Sequence, residues 1–318
     1  MIDFRYHIIS IVAVLLALSL GIVTGSAFLG GPLLEQLENR VDSLERTNTD
    51  LLNRVRETER EAAHQESALS AFESTLTNGA LSGRRIVLWR IGETEADTID
   101  AVESALEGAD GDIASTFVAT AAFDLDDLAA RDDLTTTLDL PDVTAADLRV
   151  DVAELLGTLA GAVAAQGEVE GAIGGEGAQA RLEEVVGPLR DTGYLEVEVP
   201  DEELPAVPAA SALVIVAGST NEPPFDVALF VTQLASSFAA RGNPVVVVEG
   251  QGSAWGVVEA VRGDGDAHEQ VSTVDDVDTA VGRISLALAL ELADERPAGH
   301  YGAGQDAEAP VPQPSSGG

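Results

Sequence analysis

No cysteine and no lysine occur among the 318 residues, and the only methionine is Met1. The first absence removes disulfides, thiolate chemistry and every cysteine-based metal site. With lysine gone, all 17 basic residues are arginines, set against 55 Asp plus Glu, for a formal net charge of -38 and a pI near 4.1. A chain so poor in cations lacks the clustered positive charge that releases counterions from phosphate backbones, which argues against nucleic acid as a partner. The same poverty argues against electrostatic docking to anionic lipid. What is present is apolar: 45% hydrophobic residues with 31 glycines imply a real core in one large domain or two ordinary ones.

Ile8 to Leu29 runs for 22 residues without a charge, roughly 33 Å as a helix and enough to span a bilayer. Arg5 precedes it and no arginine follows until Arg40, a bias that leaves the N-terminus cytoplasmic and the rest of the chain outside. Residues 1–31 are therefore expected to form a single-pass anchor in the cell membrane, with an extracytoplasmic C-terminal domain. A cleaved secretory signal is the rival reading; Thr24 and Ser26 match a cleavage site poorly, and the apolar run exceeds the roughly 7–15 residues of a signal. Within the span Ala13, Ala17, Gly21 and Gly25 recur every fourth residue, a small-residue stripe that lets a second helix approach closely.

After Gly30-Gly31-Pro32, read as a hinge, apolar residues fall at alternating steps of three and four. With Leu34 at position a, Val41, Asn48, Val55, Ala62, Leu69 and Leu76 follow at a, and Leu37, Leu44, Leu51, Thr58, Gln65 and Phe72 at d. Asn48 is the discriminating residue, because a buried amide costs stability unless it meets its symmetry mate, which favours a parallel two-stranded register. Arg40 and Arg54 at g attract Glu45 and Glu59 at e of a partner helix, whereas Glu61 repels Glu66. Thr58, Ala62 and Gln65 weaken the seam, so its C-terminal third is expected to splay. Residues 32–79 thus read as a parallel coiled coil that makes the protein a homodimer, with an amphipathic helix folded on its own domain as the alternative. The dimerisation residues are Ala13, Ala17, Gly21, Gly25, Leu37, Val41, Leu44, Asn48, Leu51 and Val55.

From Arg84 the pattern changes to short apolar runs between helical segments, the signature of a Rossmann-like, mostly parallel α/β domain over 80–296. Ile86 to Trp89, Ile113 to Val118, Ala212 to Val216 and Pro244 to Val248 read as strands, and the β-branched runs suit strands buried on both faces. Helices are expected from Thr98 to Leu106, Phe225 to Ala240, Ala254 to Val261 and Val277 to Leu292. The acidic middle, Phe123 to Arg190, reads as mostly helical without a clear order. Residues 297–318, rich in Gly, Pro, Ala and Ser, read as a disordered tail.

Chemistry is hard to place in this domain. Ile91-Gly92-Glu93 offers one glycine where a dinucleotide fingerprint needs three, and no Walker A or serine-hydrolase elbow occurs. Gly218-Ser219-Thr220-Asn221 follows a buried strand and could offer backbone amides to a ligand, although such turns are ordinary. The acidic clusters Asp124-Asp126-Asp127-Asp132-Asp133 and Asp264-Asp266-His268 lack the glycine and glutamate of a calcium loop and read as solvated surface. No enzyme, catalytic residue or cofactor is expected.

Met1 to His7 running straight into the span, the Gly21 to Gly25 segment, the heptads, Gly282-Arg283-Ile284-Ser285-Leu286-Ala287-Leu288 and Gly299-His300-Tyr301-Gly302 together resemble the mycobacterial copper transport protein B family. The resemblance implies an actinobacterial cell-envelope protein linked to copper efflux and tolerance, and copper enters on the resemblance alone. The residues answer that implication badly, since Cu(I) prefers thiolate and thioether ligands and this chain has only Met1. His7, His64, His268 and His300 are spread along the chain, and no two are expected to meet within one monomer; a Cu(II) site at His268 with Asp264 or Asp266 is the one metal site that can be sketched. A single span with no alternating ten-residue strands gives no pore wall. Two roles stay open: assistance to copper export, or a dimeric membrane-anchored scaffold or regulatory partner in envelope assembly or cell separation, gripping another envelope protein.

Overall fold

The computed structural model of the protein describes residues 4–141, 143–165, 176–199, 206–209, 211–304 and 306–313. Two compact units result, Met1–Gln65 and Glu66–Gly318. The first is helical throughout its described residues. It belongs to α1, Phe4–Thr77, whose segment Phe4–Gly25 has a mean hydropathy of 2.6, is nowhere buried, and is long and apolar enough to cross a membrane. The hinge expected at Gly30-Gly31-Pro32 is absent: the helical backbone continues through it.

The second unit is a doubly wound α/β fold, as the alternation of apolar runs and helices requires. In chain order it holds β1 (Arg85–Ile91), α2 (Ala96–Gly108), β2 (Asp112–Ala119), a 3-10 turn (Ala121–Asp124), α3 (Leu128–Leu138), α4 (Ala145–Ala164), α5 (Glu176–Asp191) and β3 (Leu195–Glu198). There follow β4 (Ser211–Ala217), α6 (Val227–Ala239), β5 (Val245–Glu249), α7 (Val257–Gly263), α8 (Gly265–Gln270), β6 (Ser272–Val274), α9 (Ala280–Leu292) and β7 (His300–Tyr301). The sheet order is β3-β2-β1-β4-β5-β6-β7, parallel except for β3, which runs against β2.

The continuous apolar strands make sense once both faces are covered. Val87, Trp89 and Ile91 of β1, with Leu213, Ile215, Val245 and Val247, enter one core with α4, α5 and α6. Ile86, Leu88, Ala212, Val214, Val216, Val246 and Val248 enter the other, against Val102 and Leu106 of α2 and Leu286 and Leu290 of α9. Each strand residue therefore alternates between two buried faces, the side-chain period of two made apolar on both sides.

The unordered middle resolves into a helical layer over the first core. Phe123, fully buried, meets Phe230 at 5.2 Å, Tyr194 at 5.3 Å and Phe225 at 6.0 Å between ring centroids. Trp89 adds an edge contact to Phe117 at 5.1 Å and 83°. Helices α4 and α6 cross very closely, because a Cβ at Gly157 would lie 2.5 Å from the Leu234 carbonyl oxygen and one at Gly161 2.9 Å from that of Phe238. Asn243 Nδ2 bridges this crossing, donating to the Gly161 oxygen at 2.9 Å and the Phe238 oxygen at 3.1 Å.

The C-terminal boundary also differs from expectation. Instead of a disordered tail from 297, β7 pairs in parallel with β6, and Tyr301 bridges to Ala309. Glu308 N donates to the His300 oxygen at 2.7 Å, and Ser285 of α9 donates to the Pro310 oxygen at 2.9 Å. Backbone and hydroxyl partners order a segment whose composition alone reads as tail.

Candidate functional site

The residues expected to carry dimerisation all lie on α1. Gly21 and Gly25 have open space where a Cβ would stand, and Ala13, Ala17 and Asn48 are exposed. Leu37, Val41, Leu44, Leu51 and Val55 expose 53, 52, 67, 55 and 52% of their surfaces. Arg5 is exposed near the start of the same helix. Single apolar residues on a surface are ordinary, but a stripe of them at heptad spacing on one helix is an unpartnered apolar face.

A ligand site in such a fold would be expected outside the strand ends where the winding reverses, here between β1 and β4. That crevice is lined by Glu95, Thr98, Gly218, Ser219, Thr220, Gly250, Gln251 and Ser253. Its amide donor is taken. Glu95 Oε1 accepts from Thr220 N at 2.9 Å and Thr220 Oγ1 at 3.0 Å, with Ser219 Oγ at 3.5 Å. Hydrogen bonds from the Thr220 amide, then its hydroxyl, hold this carboxyl below its usual range. The chain's own carboxylate sits where a phosphate or carboxylate ligand would seek those donors.

Next to it, at the ends of β5 and β6, lies an open cleft of about 420 Å³ lined by Glu249, Glu259, Arg262, Asp275 and Asp276 among others. Its basic member is committed to the fold. Arg262, with 4% of its side chain exposed, pairs with Asp275 at 2.8 Å and donates to Thr273 Oγ1 and the Tyr301 oxygen, each at 2.8 Å. Asp275 Oδ1 then accepts from Ala303 N at 2.6 Å and Gly304 N at 3.2 Å. A Cβ at Gly302, where φ is 127°, would overlap the Asp275 carboxylate; only glycine fits there.

The histidines correct another expectation. His268 and His300 do meet, their rings 4.2 Å apart and tilted by 31°. His300 is wholly buried, its Nε2 lies 3.1 Å from the His268 carbonyl oxygen and its Nδ1 2.9 Å from Thr273 Oγ1. Since a carbonyl only accepts, Nε2 carries the proton, and Nδ1 accepts from the threonine hydroxyl, which itself receives the Arg262 Nε proton. Both ring nitrogens are spent. Burial, then the neighbouring His268, pushes the His300 pKa down, so this histidine contributes stability that is lost as pH falls below about 6.5. Among the described residues no group of three His, Cys, Asp or Glu could hold a metal ion, the sketched Asp264–Asp266–His268 set included. Asp264 instead caps α8, accepting from Asp266 N and Ala267 N.

Asp276 is the strained member of the cleft. Its backbone is left-handed, with φ 55°, and burial, then repulsion from Asp275 and Asp278, raises its carboxyl from the ordinary 3.8 to about 6, with Arg262 opposing. A raised carboxylate pKa destabilises the folded chain at neutral pH, and that penalty disappears as pH falls through 6 toward 4. The step is worth about 3 kcal/mol at full weight, and solvent screening of this half-buried group reduces it to about 1 kcal/mol. Asp276→Asn, which keeps a residue at ease in the left-handed region, is expected to raise stability by about 1 kcal/mol at pH 7 and by nothing below pH 4. Urea denaturation at the two pH values checks it; an equal gain at both would reject the electrostatic cause.

Residues 1–312 match the family described as "Copper transport outer membrane protein, MctB". A protein named "Copper transporter MctB" from Mycobacterium tuberculosis H37Rv is 31% identical over 330 residues, covering 96% of this chain and 98% of the relative. The relative of that name from Mycobacterium bovis gives the same figures. Its counterpart from Mycobacterium leprae is 29% identical over 326 residues, covering 98% and 100%.

Proposed function

Because the chain belongs to the MctB copper transport family, we propose that it serves copper efflux as an accessory protein of the cell envelope, anchored by Phe4–Gly25 with its α/β unit outside the cytoplasmic membrane. Copper is the cargo of the process, and this chain is not its ligand. The observation that carries this reading is the family match over residues 1–312, which takes in the apolar segment and the α/β unit alike. Against direct ligation stand a chain with Met1 as its only sulfur and a buried histidine whose two ring nitrogens are already bonded. The mostly parallel, helix-covered sheet is also unlike the closed antiparallel wall of a membrane pore.

In this reading the protein is a parallel homodimer through the heptad stripe of α1, since both chains would enter from one membrane. The switch-point crevice filled by Glu95 supports a second reading, in which the α/β unit is a scaffold or regulatory module that grips another envelope protein. Copper challenge of a strain lacking the gene separates the readings. The full chain is expected to restore growth, as is a variant with His7, His64 and His268 all changed to Gln. A chain released from the membrane by a cleavable signal in place of the anchor is expected to fail. Loss of rescue by the triple variant would overturn the ligand-free reading, and absence of any copper phenotype would favour the scaffold.

A further inference from the structure

The last three turns of α1 belong to the second unit, and contacts with the start of α9 hold them there. Arg283 of α9 grips Glu73 in a fork, Nε at 2.9 Å and Nη2 at 2.9 Å, and Nη2 also donates to Ser70 Oγ at 3.2 Å and lies 3.7 Å from Glu66. Glu66 in turn caps α9, accepting from Ala280 N at 2.6 Å. Gly282 lets the start of α9 close on the loop before it, because a Cβ there would collide with the Asp276 carbonyl. The gripped residues, Glu66, Ser70, Glu73 and the buried Thr77, follow steps of four, three and four and so share one stripe of the helix.

A second stripe, about a quarter turn away at 3.6 residues per turn, is left bare. Leu69, Phe72 and Leu76 expose 36, 61 and 55% of their surfaces, although the helix carrying them is docked. They are also the final a, d and a positions of the heptad register that begins at Leu34. The acids flanking this stripe at e positions are Glu66 and Glu73, and both are neutralised within the chain by Arg283 and the α9 N-terminus. Free acids beside an apolar stripe would suit a basic partner. Neutralised ones lower the local repulsion between two copies at this stripe, Glu66 against Glu61 included, in a chain whose net charge is -38.

We infer that Leu69, Phe72 and Leu76 pack against the same residues of a second copy, so that the seam closes below the weak stretch Thr58–Gln65 and holds the two α/β units as a fixed pair. This rests on the homodimer proposed above and replaces the splayed C-terminal third expected from the heptads. Each unit then flanks the seam, since its own grip on α1 lies a quarter turn from the partner's.

The cysteine-free chain makes the test clean. Single variants Leu44→Cys, Leu69→Cys, Phe72→Cys, Leu76→Cys and Ser67→Cys of the full chain, in membranes, are treated with a short bismaleimide and run under denaturing conditions. A shift to twice the chain mass is expected for the first four, and none for Ser67→Cys, which lies on the far side of the helix. Crosslinking at Leu44→Cys without any at positions 69, 72 and 76 would overturn the inference and leave the dimer intact. No crosslinking at Leu44→Cys or the others would overturn both, and equal crosslinking at Ser67→Cys would reduce the contact to random collision and overturn the inference.

Discussion

Arg262→Leu is expected to cost about 3–5 kcal/mol of folding stability, the range for removing one partner of a buried ion pair. The replacement fills the space of the aliphatic stem but leaves Asp275 without its cation, close to Asp276 and with Asp278 in the same loop. It also removes one of two donors to the Tyr301 carbonyl, leaving Asp275 N at 3.2 Å, and deprives Thr273 Oγ1 of the donor that completes its relay to His300. Arg262→Lys keeps the charge without the three-way fork, so an intermediate loss is expected. Because Arg262 ties β7 to its neighbours, amide hydrogen exchange at 299–304 should rise in the leucine variant more than it does in β4. Urea denaturation of the full chain gives the magnitude; a loss under about 1 kcal/mol would mean that the pair contributes no more than a surface bridge.

Phe123→Ala should be as severe, about 3–5 kcal/mol by the range for a large aromatic deleted from a packed core. Phe123 is fully buried at the meeting point of Tyr194, Phe225 and Phe230. Its removal would open a void between the 3-10 turn and the N-terminal end of α6, which cannot collapse without moving either. Phe123→Leu retains most of the volume and is expected to lose about 1–1.5 kcal/mol. Similar losses for both variants would show that ring contacts, rather than filled volume, carry the site.

How far the sequence discloses this molecule depends on where each ordering force originates. Strands β1, β2, β4 and β5, and helices α2 and α6, announce themselves because their burial is written in apolar period. The layer from Phe123 to Arg190 does not, since α4 reaches α6 through Gly157 and Gly161, and residues that work by having no side chain leave no hydrophobic signal. Strands β3, β6 and β7 are four, three and two residues long, too short for alternation to show. The tail is held by Asp275, Ser285 and Arg262, which no local composition reveals. His268 and His300 likewise meet only because α8 and β7 flank the same short strand. The motifs that support the family resemblance fare differently: Gly282, Arg283, His300 and Gly302 are all legible as a pattern, yet their reasons, a close approach, a helix grip, a buried relay and a positive φ, are visible only in three dimensions.

The carboxylate of Glu95 in the β1–β4 crevice has a further consequence. A diffusible anion occupies such a cradle according to its concentration, and proteins of this topology can report that concentration by opening and closing around it. Here the anion is tethered by the backbone, so its local concentration is a constant of the covalent structure. A dissolved anion would have to displace it and break the two hydrogen bonds from Thr220. The resting shape of the crevice is therefore set by the chain's own covalent structure rather than by what is dissolved around it.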